Sequence, residues 1–246
     1  MSDLYCGAAP VPETLMGAWR LDLVALLACA GILVAWRRFG AEAGRLPIWI
    51  GVGLIAALFL SPLCALTVAL FSARTVHHVL LLVAVAPLLA MAFPAAPRSR
   101  QETVPLGLLA AIQAVVLWFW HIPPVYSVAI SVAAVYWAMQ ASLLGVSFCL
   151  WQRALRQSED AGAVVFAMLG TSIQMGLLGA LLTFAPTPLY EAHLDTTHSF
   201  GLTPLSDQQL AGLIMWVPAA LPYLAAALFR VWPMLGSPGR RAGWSG

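Results

Sequence analysis

Residues Ala163–Ala185 read AVVFAMLGTSIQMGLLGALLTFA, 23 positions without a single Asp, Glu, Lys, Arg or His. A helix rises about 1.5 Å per residue, so this run covers the roughly 30 Å hydrocarbon core of a bilayer. In lipid a helix also satisfies its own backbone donors and acceptors. Comparable runs stand on both sides of it: Ala18–Trp36, Pro47–Leu66, Val76–Phe93, Leu106–Trp120, Ile130–Leu150 and Gln209–Val231. The seven runs predict an all-α polytopic membrane helical bundle of seven transmembrane helices, one integral membrane domain over residues 1–246. Composition agrees: 61% of residues are hydrophobic and 9% charged, against about 25% charged in a soluble domain. Mean hydropathy is +0.88. The chain's solvent is the lipid bilayer. A net charge of +2 is too small to draw nucleic acid, and the length leaves no room for an appended soluble domain.

Prolines divide these runs. Pro62 should break or kink the second run after Ser61, because it removes a backbone donor, leaving Cys64–Phe71 as a short helix near the interface. The fourth run ends at His121-Ile122-Pro123-Pro124, where the residue before a proline is pushed out of helical geometry, and Val125–Ala129 forms a short turn before the fifth span. Ser206 followed by Gln209 is a capping-box pattern opening the last span, and Asp207 in its first turn suits the helix dipole.

Every basic residue is Arg, and the arginines set the orientation. Arg37, Arg38 and Arg45 follow span one, Arg98 and Arg100 span three, Arg153 and Arg156 span five, and Arg230, Arg240 and Arg241 span seven. The opposite loops hold only Arg20 and Arg74 near the membrane. The positive-inside rule then puts the N-terminus outside and the C-terminus inside, which needs an odd number of spans. The first apolar run has no basic region before it, unlike a cleaved signal.

With this topology all five histidines fall on the outer side: His77 and His78 at the start of span three, His121 at the end of span four, His193 and His198 in the loop before span seven. Met16, Met175 and Met215 lie at outer depths, and Glu191, Asp195 and Asp207 on the outer side too. Imidazole suits copper, zinc or iron, and thioether sulfur suits Cu(I). Interfacial histidines also cap helices or bond headgroups, which fits His193 and His198 in a polar loop. His78 and His121 stand at the membrane boundary, where polar side chains are costly and more often functional. Adjacent on a helix, His77 and His78 point about 100° apart, so both join one site only if the helix end is distorted. Singly, the methionines read as packing. Of the scattered cysteines, Cys29 and Cys149 read as small apolar residues inside helices; Cys6 could be a redox or metal thiol, with no partner evident. No nucleophile elbow, P-loop or HExxH occurs, and no chain of buried carboxylates, which argues against an enzyme and against a proton-driven pump.

Several segments resemble the CtaG family of polytopic cytochrome c oxidase assembly proteins. They are Ser61-Pro62-Leu63; Phe71-Ser72-Ala73 leading to His78 and Leu80-Leu81-Leu82; Pro87-Leu88-Leu89; Trp120-His121-Ile122-Pro123-Pro124-Val125-Tyr126; Ala185-Pro186 with Pro188-Leu189-Tyr190; Gly201-Leu202-Thr203-Pro204-Leu205; Asp207-Gln208-Gln209-Leu210-Ala211-Gly212; and Met215-Trp216-Val217-Pro218. At the start of span three the family pattern of His-Met, then Gln-His, is replaced by Arg74-Thr75 and His77-His78. The resemblance implies a bacterial inner-membrane factor that supports maturation of a haem–copper oxidase. Its partners would be oxidase subunits and a periplasmic copper chaperone. Copper would bind transiently at the periplasmic face on His78 and His121, with His77 or Met215 as third ligand and His193 and His198 as further candidates. Two other classes stay open: a membrane oxidoreductase holding haem b between His78 and His121, and a metal-free oxidase-associated scaffold. Direct shared ligation needs the nitrogens of His78 and His121 within about 10 Å of each other, given metal–nitrogen bonds of about 2 Å.

Overall fold

A computed structural model describes residues 4–93 and 104–235, and all regular structure among them is helical. Arg98, Arg100, Arg240 and Arg241, which carry part of the orientation reading, lie outside the described residues. The helices are α1 (Pro12–Leu15), α2 (Leu23–Phe39), α3 (Arg45–Leu60), α4 (Pro62–Ala69), α5 (Phe71–Leu80), α6 (Ala86–Ala92), α7 (Leu106–Trp120), α8 (Pro123–Ser131), α9 (Ala133–Ala154), α10 (Ala161–Phe184), α11 (Pro204–Trp216) and α12 (Ala220–Leu235). A π-helical stretch, Leu81–Val85, joins α5 to α6, and the loop between α10 and α11 holds 3-10 turns at Glu191–His193 and Thr197–Phe200.

Five helical stretches are long and apolar enough to cross a membrane: Glu42–Leu60, Phe71–Ala92, Ala133–Ala154, Ala161–Phe184 and Pro204–Pro233. The pair α7 and α8, bent by 78°, makes a sixth if taken as one span. The remaining expected span is α2, which has 17 residues, about 26 Å of helix. Asp22 starts it late, accepting hydrogen bonds from the Val24 and Ala25 amides.

The prolines act as the sequence suggests. Ser61 ends α3 in extended geometry and caps α4 through its hydroxyl, which accepts from the Leu63 amide. Ile122 is likewise extended, with φ −65° and ψ 121°, and that residue makes the α7–α8 corner. The last expected span is in fact two helices, interrupted at Val217–Ala219, where Pro218 has no amide to donate.

The helix α10 packs on α7, α11 and α12; α11 also packs on α5, α9 on α6 and α7, and α2 along α3. The α10–α11 crossing is close because it is lined by glycine: a Cβ on Gly212 would stand 2.4 Å from the Gly179 carbonyl oxygen and 2.3 Å from Thr183 Oγ1. At one end of the bundle, Ala41 N–H donates to Ala92 O, Gln152 to Phe93 O, Arg153 to Val104 O, and Arg230 to the carbonyls of Arg156, Gln157 and Glu159. The described loop arginines that follow spans one, five and seven therefore gather at this end. The histidines belong to the other.

Candidate functional site

The site is organised by the first turn of α5. Asp207, on α11, accepts from the amides of Phe71 at 2.6 Å and Ser72 at 3.2 Å, and from the Ser72 hydroxyl. A carboxylate on the otherwise unpaired amides of a helix start satisfies them and favours the dipole. Asp207 lies in the first turn of its own helix as expected, and its carboxylate serves the start of α5 as well; the expected capping box is what changes. Pro204 occupies the first turn of α11, so the cap falls on Thr203, whose hydroxyl exchanges hydrogen bonds with Ser206, and Gln209 is no part of it. Gln208 instead ties the preceding loop, its side-chain oxygen accepting from the Leu189 amide at 2.7 Å.

Because Asp207 caps α5 at Phe71, the helix begins five residues before the expected Val76. His77 and His78 therefore sit in its second turn, and Arg74, expected in an outer loop, is inside the helix and only 2% exposed. Its guanidinium carbon lies 5.4 Å from the centroid of the Tyr136 ring, and it interacts with the hydroxyls of Tyr126 and Tyr136. Its Nε and Nη1 have no hydrogen-bond partner.

The helix is regular at the two histidines, so their rings diverge as helical spacing dictates. His78 turns toward His121, with ring centroids 6.4 Å apart. His77 packs edge-on against Phe59 at 4.7 Å, 5.9 Å from His78, and both of its nitrogens are buried without a partner. The Leu117 carbonyl can only accept, so His121 donates to it through Nδ1 at 2.7 Å and keeps a lone pair on Nε2. The Gln140 amide nitrogen makes a long 3.4 Å contact to His78 Nε2. Tyr190, stacked on Phe71 at 4.0 Å, donates to the His121 carbonyl at 2.9 Å and so holds the α7–α8 corner to the loop.

The loop contributes one histidine to this cluster. His193 is 3% exposed, its Nε2 is 2.7 Å from the Tyr126 hydroxyl, and its ring is 5.8 Å from Phe71. Burial, reinforced by the positive Arg74, pushes its pKa down to about 4, so it is neutral at physiological pH. His198 is exposed, in the second 3-10 turn. Met215 is buried at the α10–α11 seam, with its Cβ against Gly179. Met175 is buried in α10, whereas Met16 is 78% exposed. Glu191 and Asp195 are also exposed.

The structure thus brings His77, His78 and His121 into successive ring contact, with His193 joined through Phe71. Among the described residues, no three or more His, Cys, Asp or Glu side chains are gathered tightly enough to hold a metal ion. What the fold does bring together is a pair of imidazoles, His78 and His121, in an edge-to-face arrangement with an interplanar angle of 78°.

Sequence reading missed Arg74, Tyr126, Tyr136 and Gln140, which the fold assembles from three helices. Only Arg74 carried a signal, its three-residue spacing from His77 on one helix face. The cysteines need a further correction. Cys6 is paired: it forms a disulfide with Cys64 in α4, with Cα atoms 5.6 Å apart. The separation of 58 residues gives no local pattern to read. Cys29 is buried in α2 and Cys149 lies exposed on α9, both free.

With this geometry in view, residues 27–237 match the family model described as cytochrome c oxidase caa3 assembly factor. No curated protein and no solved structure matches the chain.

Proposed function

The chain belongs to the cytochrome c oxidase caa3 assembly factor family, and from that premise we propose that it is a non-catalytic factor of the bacterial inner membrane that helps load copper into a haem–copper oxidase from the periplasmic side. Copper is cargo here, held briefly by His78 and His121 and passed on to oxidase subunits after delivery by a periplasmic copper chaperone. The observation that supports this most directly is the approach of the two imidazole rings, whose centroids are 6.4 Å apart. One ring presents a free Nε2 lone pair because its Nδ1 is committed to Leu117. A transfer site needs few ligands and an open position for exchange, and a two-histidine pair meets that need. His77, Met215, His193 and His198 are the candidate third ligands, and His77 is nearest in ring contact.

The proposed topology has seven spans, counting α2 and the bent α7–α8 pair, with the N-terminus in the periplasm and the C-terminus in the cytoplasm. The support is the collection of loop arginines at one end of the bundle and the histidines at the other. The Cys6–Cys64 disulfide, at the histidine end, fits an oxidising compartment.

The decisive experiment is deletion of the gene followed by measurement of oxidase activity and oxidase copper content, with and without added copper. Copper loading predicts that both fall at limiting copper and recover with excess. Unchanged values at limiting copper refute it. Lost activity with normal copper per assembled oxidase favours the scaffold. Full complementation by the His78→Ala, His121→Ala double variant removes these two residues from the site. Ligation requires neutral imidazole, so binding by the purified protein weakens at acid pH. A Soret band in that purified protein favours the haem b alternative.

A further inference from the structure

The Cys6–Cys64 pair lies in the same outer end of the bundle as the histidines, yet no ring contact of the imidazole cluster uses it. Both residues are buried, at 6% and 2% exposure. The Tyr136 hydroxyl lies 3.8 Å from Cys6 Sγ, and Thr67, 3.9 Å from the same sulfur, donates its hydroxyl to the Cys64 carbonyl at 2.6 Å. The Arg74 guanidinium lies 5.4 Å from the centroid of the Tyr136 ring and interacts with its hydroxyl; it is buried, with Nε and Nη1 unpartnered. A structural staple needs neither a donor aimed at sulfur nor a buried cation behind that donor. Anionic sulfur can use both.

The segment carrying Cys6 lies outside the helices. Leu4–Gly7 is held by the Tyr5 amide donating to Ile130 O, by Arg20 donating to Tyr5 O, by the Tyr5 hydroxyl donating to Asp22 and accepting from Trp137, both at 2.6 Å, and by the Tyr5 ring stacked on Tyr136 at 4.2 Å. The segment has no helix of its own to unfold when it is displaced.

We propose that Cys6 and Cys64, when reduced, form a two-coordinate Cu(I) site, and that the disulfide is its closed, metal-free state. Reduction requires an external dithiol: the disulfide takes two electrons and two protons from the donor, which leaves as its own disulfide, and two thiols remain. Binding then releases both protons, since Cu⁺ and two thiols give a bis-thiolate cuprate of charge −1 and two H⁺. Arg74 supplies the compensating charge through Tyr136, whose hydroxyl hydrogen-bonds the Cys6 thiolate. Thiolate sulfur selects Cu(I) over harder cations. With only two sulfurs and hydroxyl neighbours, the site does not complete the four-ligand shell of structural zinc. The proposal rests on the copper-handling reading for the choice of metal, but uses a donor set separate from His78 and His121.

The test is anaerobic Cu(I) titration of purified protein against a chromophoric competitor, in its oxidised form and after phosphine reduction and removal of the phosphine. A Cys29→Ser, Cys149→Ser background keeps the free thiols out. Expected is one further Cu(I) per chain in the reduced form, with Cu–S scattering in the X-ray absorption spectrum. Cys6→Ser with Cys64→Ser should abolish it, and His78→Ala with His121→Ala should leave it in place. If the cysteine variant does not fold, the comparison of oxidised and reduced forms still decides. Equal Cu(I) binding in both forms, or a thiol-independent extra equivalent, overturns the proposal. If the extra equivalent disappears with the histidine variant, the separate site is likewise refuted. The imidazole reading is judged independently, by oxidase copper content in the histidine variant.

Discussion

Asp207 shows how a single side chain can place a site. From its position on α11 it terminates α5 through two backbone amides and a hydroxyl, and so fixes where Arg74, His77 and His78 emerge. Asp207→Ala should cost about 2 kcal/mol, the usual scale for losing a charged cap, read as a lowered melting temperature in detergent; Asp207→Asn, which keeps an acceptor oxygen, should recover part of it. His193 carries a pH signature. Its folded pKa of about 4 lies below the ordinary 6.5, so above about 6.5 both folded and unfolded chains hold it neutral and it costs nothing. As pH falls from 6.5 toward 4, the unfolded chain takes up a proton that the fold refuses, and stability drops. Below about 4 both states are protonated and the loss levels off, at a total of about 3 kcal/mol. Melting temperatures between pH 7 and pH 4 should therefore fall more steeply for the natural protein than for His193→Gln; parallel curves would show that His193 carries no such linkage. At this scale the sequence displayed the histidines but not their environments. His193 sits in a run of polar residues that reads as an exposed loop, and only the packing of Phe71, Tyr126 and Tyr190 around it makes it a core residue.

Among the elements, the apolar runs were legible because lipid imposes length and apolarity on each helix separately. Leu106–Trp120 has the boundaries read from the sequence, and Pro62 and Pro123 divide the chain where their chemistry demands. The start of α5 was not legible: a buried Arg at position 74 looks like the end of a span until the aromatic rings facing it are known. The close crossing of α10 and α11 was also hidden, since Gly179 and Gly212 stand in separate runs whose pairing is tertiary. Gly212→Ala should force the two backbones apart, with a destabilisation of about 1–3 kcal/mol. Gly145→Ala in α9, where a Cβ meets nothing within 4 Å, should be neutral or better. Equal melting temperatures for the two variants would mean that the crossing is looser than this geometry.

For the molecule as a whole, the arginine-bearing and histidine-bearing ends face opposite compartments in the proposed topology. A periplasm-active reporter fused after Gly246 should be inactive, and one active only in the cytoplasm should work there. The opposite result would place the histidine end in the cytoplasm and remove the periplasmic delivery route with it. The sequence alone determined that the chain is an all-helical membrane protein and where most helices break. It also put the histidines and the loop arginines at opposite ends. These properties follow from local constraints, each apolar run answering to the bilayer and each proline to its own backbone. Only the tertiary structure decided which side chains meet: His78 with His121 across α5 and α7, Asp207 on the start of α5, Cys6 with Cys64 across 58 residues, and Arg74 against Tyr136. Such contacts depend on the rotation and depth of helices far apart in sequence. Nearly uniform apolar runs leave those variables open until close glycine crossings and buried polar partners fix them.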